Sequence, residues 1–184
     1  MDALWFPEGQ MEDERMIHLS KRMSKALRHQ PERVGLTLDA AGWVPVADLL
    51  SALGVSEADL REVVERNDKK RFTIDGDRIR ANQGHSVEVE LGLPVATPPD
   101  QLFHGTVAQY LDDIMRDGLR PMSRHDVHLS PDRETARRVG SRRGRPVILT
   151  VDAGKMHADG HEFRLSANGV WLTQHVPARY LETA

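Results

Sequence analysis

The hydrophobic repeat of this chain changes period at Arg71, from helical spacing before it to two-residue alternation after it. A single helical bundle or a single sheet sandwich is therefore excluded. A seam rich in breakers follows, with Asn82-Gln83-Gly84, Pro94 and Pro98-Pro99 interrupting every pattern between Asn82 and Gln101. The expected organisation is two lobes, residues 15–90 and 91–184, in an α+β protein.

Before the seam, Met16, Leu19, Met23, Ala26 and Leu27 fall on one helical face, while Lys21, Lys25 and Arg28 line another. Pro31 ends that helix soon after His29. A second helix is predicted from Pro45, with Val46, Leu49, Leu50 and Leu53 inward and Gly54 as its stop. A third begins at Ser56 as N-cap and buries Leu60, Val63 and Val64. Arg71-Phe72-Thr73-Ile74 then alternates, Asp75-Gly76 signals a turn, and Arg78-Ile79-Arg80 returns. Phe72 and Ile74 point to the core, so Arg71 and Thr73 point outward. Three helices followed by a hairpin is the layout of a winged helix.

After the seam, Leu102-Phe103-His104 reads as a strand closing at Gly105, and Val107 to Arg116 as a helix with Leu111, Ile114 and Met115 inward, ended by Gly118. Val127-His128-Leu129 is a further strand, with Ser130-Pro131 expected to cap a helix over Thr135 to Val139. Pro146 to Val151 and Gly169 to Leu172 complete the predicted strands.

Composition narrows the chemistry. Among 184 residues there is no cysteine, which excludes a disulfide scaffold, a thiolate zinc site and a cysteine nucleophile. No apolar run approaches the roughly 20 residues of a membrane span, and the opening MDALWFPEGQMEDER lacks the pattern of a secretory signal, so a cytoplasmic protein is expected. The net charge of -3 conceals clustering: six basic residues and one acid lie between Arg15 and Arg33, and five arginines and no acid between Arg137 and Arg145. Lys69-Lys70-Arg71 forms a third island. Such islands on an acidic chain fit localised anion sites, although each taken alone also fits a solvated helix face.

Arg28-His29 closes a basic helical face. A permanently charged fork beside an imidazole suits a phosphate, although cations at a helix C-terminus are also favoured for their own sake. His104-Gly105-Thr106 follows a strand, where a glycine lets a ligand approach the backbone. Ser130, after His128, would put a helix N-terminus beside an anion. Taken singly, both histidines also fit ordinary hydrogen-bonded interior positions. Neither G-x-G-x-x-G nor a Walker lysine motif is present. His157-Ala158-Asp159-Gly160-His161-Glu162 has weak metal spacing and reads better as a polar loop, and Met11, Met16 and Met23 as core or terminus.

Taken in order, Leu19-Ser20-Lys21 through Arg28-His29, Asn67-Asp68-Lys69-Lys70-Arg71-Phe72, Phe103-His104-Gly105-Thr106, His128-Leu129-Ser130, Val139-Gly140-Ser141-Arg142 and Asn168-Gly169-Val170-Trp171-Leu172 resemble the RNA 2'-phosphotransferases. The resemblance spans roughly Ile17 to Leu181. It implies an N-terminal winged-helix lobe joined to a C-terminal ADP-ribosyltransferase-like lobe. It also implies NAD as co-substrate and an RNA carrying a 2'-phosphate as partner. No metal is then required, since three arginines and a histidine can supply the positive charge; no membrane partner is expected, and two lobes of this size make a monomer reasonable.

The implied reaction has two steps. The RNA 2'-phosphate displaces nicotinamide from NAD+; the ribose 2''-hydroxyl then takes the phosphate, giving 2'-hydroxyl RNA and ADP-ribose 1'',2''-cyclic phosphate. The family's Arg-His-Arg-Arg set maps onto Arg28, His29, Arg71 and Arg142, with Arg143 and Arg145 as neighbours of the last. Cofactor contacts map onto His104, Gly105, Thr106, His128, Ser130 and Val170. Val170 stands where many protein-modifying relatives carry a glutamate, which fits a phosphate dianion that needs no base. Two rivals share parts of this reading: an ADP-ribosyltransferase that caps terminal nucleic-acid phosphates, and a winged-helix binder without turnover.

Overall fold

The computed structural model describes residues 11–183, which form a mixed α/β protein with six α-helices and three three-stranded sheets among them. Two compact units share the chain. One runs to Asn82 and takes in Val87–Glu90; the other comprises Gln83–Ser86 and continues from Leu91. Each has its own apolar core.

In the first unit α1 (Asp13–Arg28) buries Leu19, Met23, Ala26 and Leu27, as its repeat predicts. Acidic Asp13 and Glu14 open it and basic Lys25 and Arg28 close it, in the sense the helix dipole favours. A 3-10 turn over Pro31–Val34 follows. β1 (Val44–Pro45) leads directly into α2 (Val46–Leu53), which ends at left-handed Gly54 (φ 61°). α3 (Glu57–Arg66) starts at Ser56, whose side chain accepts a hydrogen bond from the Asp59 amide at 3.1 Å.

β2 (Phe72–Asp75) and β3 (Arg78–Ala81) form the hairpin, and the sheet order is β1-β3-β2, all antiparallel. Asp75 pairs with Arg78, so the two-residue turn is Gly76-Asp77, one position later than the Asp75-Gly76 signal. Gly76 adopts the positive φ of 61° that such a turn demands. β1 is only two residues long, too short for any alternation to be visible in sequence.

The second unit contains β4 (Gln101–Val107), α4 (Leu111–Asp117), β5 (Val127–Leu129), α5 (Arg133–Gly140) and β6 (Pro146–Asp152). These are followed by α6 (Ala153–Ala158), β7 (Arg164–Leu165), β8 (Trp171–Thr173) and β9 (Leu181–Thr183). Antiparallel sheets β4-β6-β9 and β5-β8-β7 are bridged where Phe103 and Ser130 exchange both backbone hydrogen bonds, at 2.9 and 2.8 Å. Leu102, Leu149, Val151, Met156, Phe163 and Tyr180 anchor the core.

Several expectations need correction. β4 does not close at Gly105 but runs through it, because its pairing with β6 continues to Val107–Pro146. Residues 108–110 form a 3-10 turn ahead of α4, and Met115 is exposed rather than inward. His157 lies within α6 rather than in a loop.

Ser130 does not cap α5. Its backbone is committed to Phe103, and Asp132 takes the cap position, accepting from the Thr135 amide at 2.7 Å. Thr135 also donates its hydroxyl to Asp132, and these two bonds hold the Asp132 carboxyl below the usual carboxylate range. Asp132→Ala is therefore expected to cost about 1 kcal/mol in urea unfolding, with Ser130→Ala showing no such loss of cap.

Candidate active site

In the first unit, Arg28 and Arg71 come together. Arg28 is the last residue of α1, and its guanidinium reaches the Arg71 carbonyl at 3.4 Å, with Cζ 5.9 Å from the centre of the Phe72 ring. The same carbonyl accepts the Asn82 amide at 2.9 Å, which ties the start of β2 to the end of β3. Asn82 is buried and spans the approach to Arg71: it donates to Lys70 O at 2.7 Å and accepts from the Thr73 hydroxyl at 2.6 Å. Lys70, immediately before, sits at φ 42°, an unusual conformation for a side-chain-bearing residue, held by these bonds. His29 is the exposed C-cap of α1, its amide bonded to Lys25 O at 3.1 Å. Arg28, His29 and Arg71 thus stand at element ends, where side chains are aimed by a rigid scaffold.

In the second unit, His104 and Thr106 lie on one face of β4 and Phe103 and Gly105 on the other, by the two-residue pleat. The Gly105 face is closed by α5. A Cβ placed on Gly105 would lie 1.9 Å from Ala136 O and 2.9 Å from the Gly140 nitrogen. Gly140 is equally tight, its Cβ position 3.1 Å from the Gly105 carbonyl carbon and from Pro146 Cβ. The close approach that Gly105 permits is thus made by the protein's own helix, and the Gly105–Gly140 pair explains both glycines by packing. Arg133 on the same helix stacks over Phe103, Cζ 5.0 Å from the ring centre.

On the opposite face, His104 Nδ1 donates to the His128 carbonyl at 3.1 Å, which leaves Nε2 as the bare nitrogen of a neutral ring. Burial pushes the His104 imidazole below its ordinary pKa, and the charges of Arg143 and Arg124 push the same way against the opposing hydrogen bond. The proton is thus disfavoured in the folded state. Between the folded pKa and the unfolded value near 6.5, the unfolded chain binds more protons, so stability rises with pH. Wild-type Tm is expected to fall as pH drops through about 6.5, and His104→Gln to flatten that dependence. A calorimetric series from neutral to acidic pH reads the difference.

Arg124 is the site residue that the sequence reading passed over. Its guanidinium donates to His128 Nδ1 at 3.2 Å. Partial burial, with Arg143 and Arg142 nearby, lowers its pKa. Arg124 and Arg143 thus lie near His104, with Arg142 near Arg124, and none of the three has an ion-pair partner among the described residues. Arg142 itself is exposed on the 3-10 turn Ser141–Arg143 that follows α5.

Thr106 is buried, pairing with Val147. Val170 precedes β8 rather than lying in it, held by the Ser166 hydroxyl, which donates to Val170 O at 3.0 Å and accepts from its amide at 3.1 Å. The signal that might have singled out Arg124 was its place four residues before His128 in a loop without a helix to solvate it.

The class defined here is a mixed α/β protein that presents a guanidinium–imidazole group in each of two units, suited to anionic ligands. A family model described as RNA 2'-phosphotransferase, Tpt1/KptA family, matches residues 14–175, and this chain belongs to that family. Among similar proteins, one from Streptomyces coelicolor is 62% identical over 176 residues, covering 93% of this chain and 97% of its own. One from Agrobacterium fabrum is 58% identical over 169 residues, covering 88% and 91%. A third, from Herpetosiphon aurantiacus, is 53% identical over 178 residues, covering 93% and 98%. All three bear the name probable RNA 2'-phosphotransferase. No helix among the described residues is long and apolar enough to cross a membrane.

Proposed function

We propose that this protein is a transferase that removes an internal 2'-phosphate from RNA by passing it to the ADP-ribose portion of NAD+. The observation that carries this reading is the group of Arg124, Arg142 and Arg143, without a carboxylate partner among the described residues, near neutral His104, in a chain of the RNA 2'-phosphotransferase family. A dinucleotide with a diphosphate fits that donor set: guanidiniums supply the positive charge that a P-loop or metal would otherwise bring. NAD+ supplies an electrophilic ribose carbon with nicotinamide as leaving group.

The first unit is read as the winged-helix lobe, because β1 between α1 and α2 completes a three-stranded sheet around the hairpin. Arg28 and Arg71 hold the RNA 2'-phosphate and orient one oxygen for in-line attack, while exposed His29 donates a further hydrogen bond. The second unit is read as the ADP-ribosyltransferase-like lobe, its two bridged antiparallel sheets carrying His104, Thr106, His128, Ser130 and Val170 toward the dinucleotide. Gly105 contributes through its backbone and through the seating of α5, not by opening space for the ligand. Arg124 joins Arg142 as the charge that meets the phosphate when the ribose hydroxyl attacks it. Its bond to His128 fixes the direction of its fork. In this reading His29 moves the proton of that step.

Release of nicotinamide tests the reading. It should require both NAD+ and an RNA bearing a 2'-phosphate, and RNA with a plain 2'-hydroxyl should release none. Release driven equally by a terminal phosphate would favour the capping activity. RNA binding without any release would favour a non-catalytic binder.

A further inference from the structure

A groove of about 210 Å³ lies on the first unit between the C-terminal half of α1, the 3-10 turn and the end of α2. Arg22, Lys25 and Arg33 line it, no carboxylate does, and Ala26, Val34 and Leu53 contribute its apolar surface. Arg22 is anchored: its guanidinium donates to the carbonyl of Leu53, the last residue of α2. Lys25 and Arg33 are exposed, and their side chains have no hydrogen-bond or ion-pair partner among the described residues. Gln30, which also lines the groove, carries a buried side-chain carbonyl oxygen with no partner among the described residues. That oxygen is enclosed beneath the groove surface, so the groove offers RNA its cations and apolar floor rather than this acceptor.

The location gives this groove its meaning. Lys25 and Arg28 are one helical turn apart on α1, and Gln30 follows His29 directly. The volume is below the roughly 300–1,000 Å³ of sites that enclose a whole small ligand, so a strand passing through suits it better than a free nucleotide. Cations at the rim and an apolar floor match phosphates and a base or ribose face.

We propose that this groove binds the RNA segment flanking the reacting nucleotide, with Lys25 and Arg33 on backbone phosphates and the apolar floor under a base or ribose face. The proposal rests on the RNA reading above. It makes the first unit a reader of RNA length and not only of the 2'-phosphate.

The test compares Lys25→Glu/Arg33→Glu with wild type on two substrates: a 2'-phosphorylated RNA about a dozen nucleotides long and a 2'-phosphorylated dinucleotide. For the longer RNA, KM is expected to rise about tenfold or more. The slope of log affinity against log salt should shrink by about 1.4, two contacts at about 0.7 each for a single strand. The dinucleotide should be turned over as by wild type. Equal losses on both substrates, or no loss on either, would overturn the proposal; the second result would leave the groove to a protein partner. If wild type turns over neither substrate, the transferase reading fails. Binding of a fluorescent unphosphorylated RNA to the same variant then still tests the groove, with weakened binding as the supporting result and unchanged binding as the contrary one.

Discussion

Gly105→Ala is expected to destabilise the protein by at least about 4 kcal/mol, a large part of the roughly 5–15 kcal/mol that holds a typical domain together. The added methyl would lie 1.9 Å from Ala136 O and 2.9 Å from Gly140 N. Both are backbone atoms of α5, so no side-chain rotation relieves the overlap. The helix must move off β4, and with it the Arg133–Phe103 stacking and the 3-10 turn that carries Arg142 and Arg143. Ordinary overpacking costs about 1–3 kcal/mol because flexible side chains share the strain. Gly140→Ala meets its neighbours at 3.1 Å and is expected to fall within that lower range. Guanidinium unfolding of the two variants measures the order. A Gly105→Ala protein within about 1 kcal/mol of wild type would show that α5 does not sit against β4 as described.

Arg124→Ala is expected to slow phosphate transfer by about 100- to 1,000-fold, the range seen when one preorganised donor to developing charge is removed. The side chain is exposed but oriented by its 3.2 Å bond to His128, so its fork is held ready for a phosphate rather than having to be ordered by it. Arg142 is exposed too but has no side-chain hydrogen bond among the described residues to orient it, and Arg142→Ala is expected to cost about tenfold or less at ordinary ionic strength. Single-turnover rates with 2'-phosphorylated RNA and saturating NAD+ separate the two. The reverse order would return the principal role to Arg142, as the resemblance alone had assigned it. Arg124→Lys should restore little, because a point charge cannot keep the forked geometry toward both His128 and a phosphate.

Much of the first unit was legible because its helices bury one clean stripe each. Leu19, Met23 and Leu27, or Leu49 and Leu53, are spaced for a single face, and Ser56 and Gly54 punctuate them in the ordinary way. β1 escaped because two residues carry no period; it exists only through its pairing of Val44 with Ile79. In the second unit the misreadings came from tertiary context. Gly105 resembled a strand end, yet β6 pairs on both sides of it and α5 needs its missing side chain. Ser130 looked like a cap, but its backbone joins the two sheets and Asp132 does the capping.

The same distinction applies to the candidate site. Arg28-His29 was visible as a charged pair at a helix end, and His104 and His128 as polar residues on short apolar strands. Their hydrogen bond joins strands 24 residues apart in sequence, which no local pattern encodes. Arg124 was hidden because a single arginine in a loop is unremarkable until its neighbours are known. Only the fold brings it near Arg142 and Arg143.

The central claim is that both steps of phosphate transfer occur on this chain. The most direct test incubates it with an RNA carrying one internal 2'-phosphate, with and without NAD+, and weighs every product by mass spectrometry. The account predicts NAD+-dependent appearance of 2'-hydroxyl RNA in step with ADP-ribose 1'',2''-cyclic phosphate. RNA and NAD+ both recovered unchanged would contradict it.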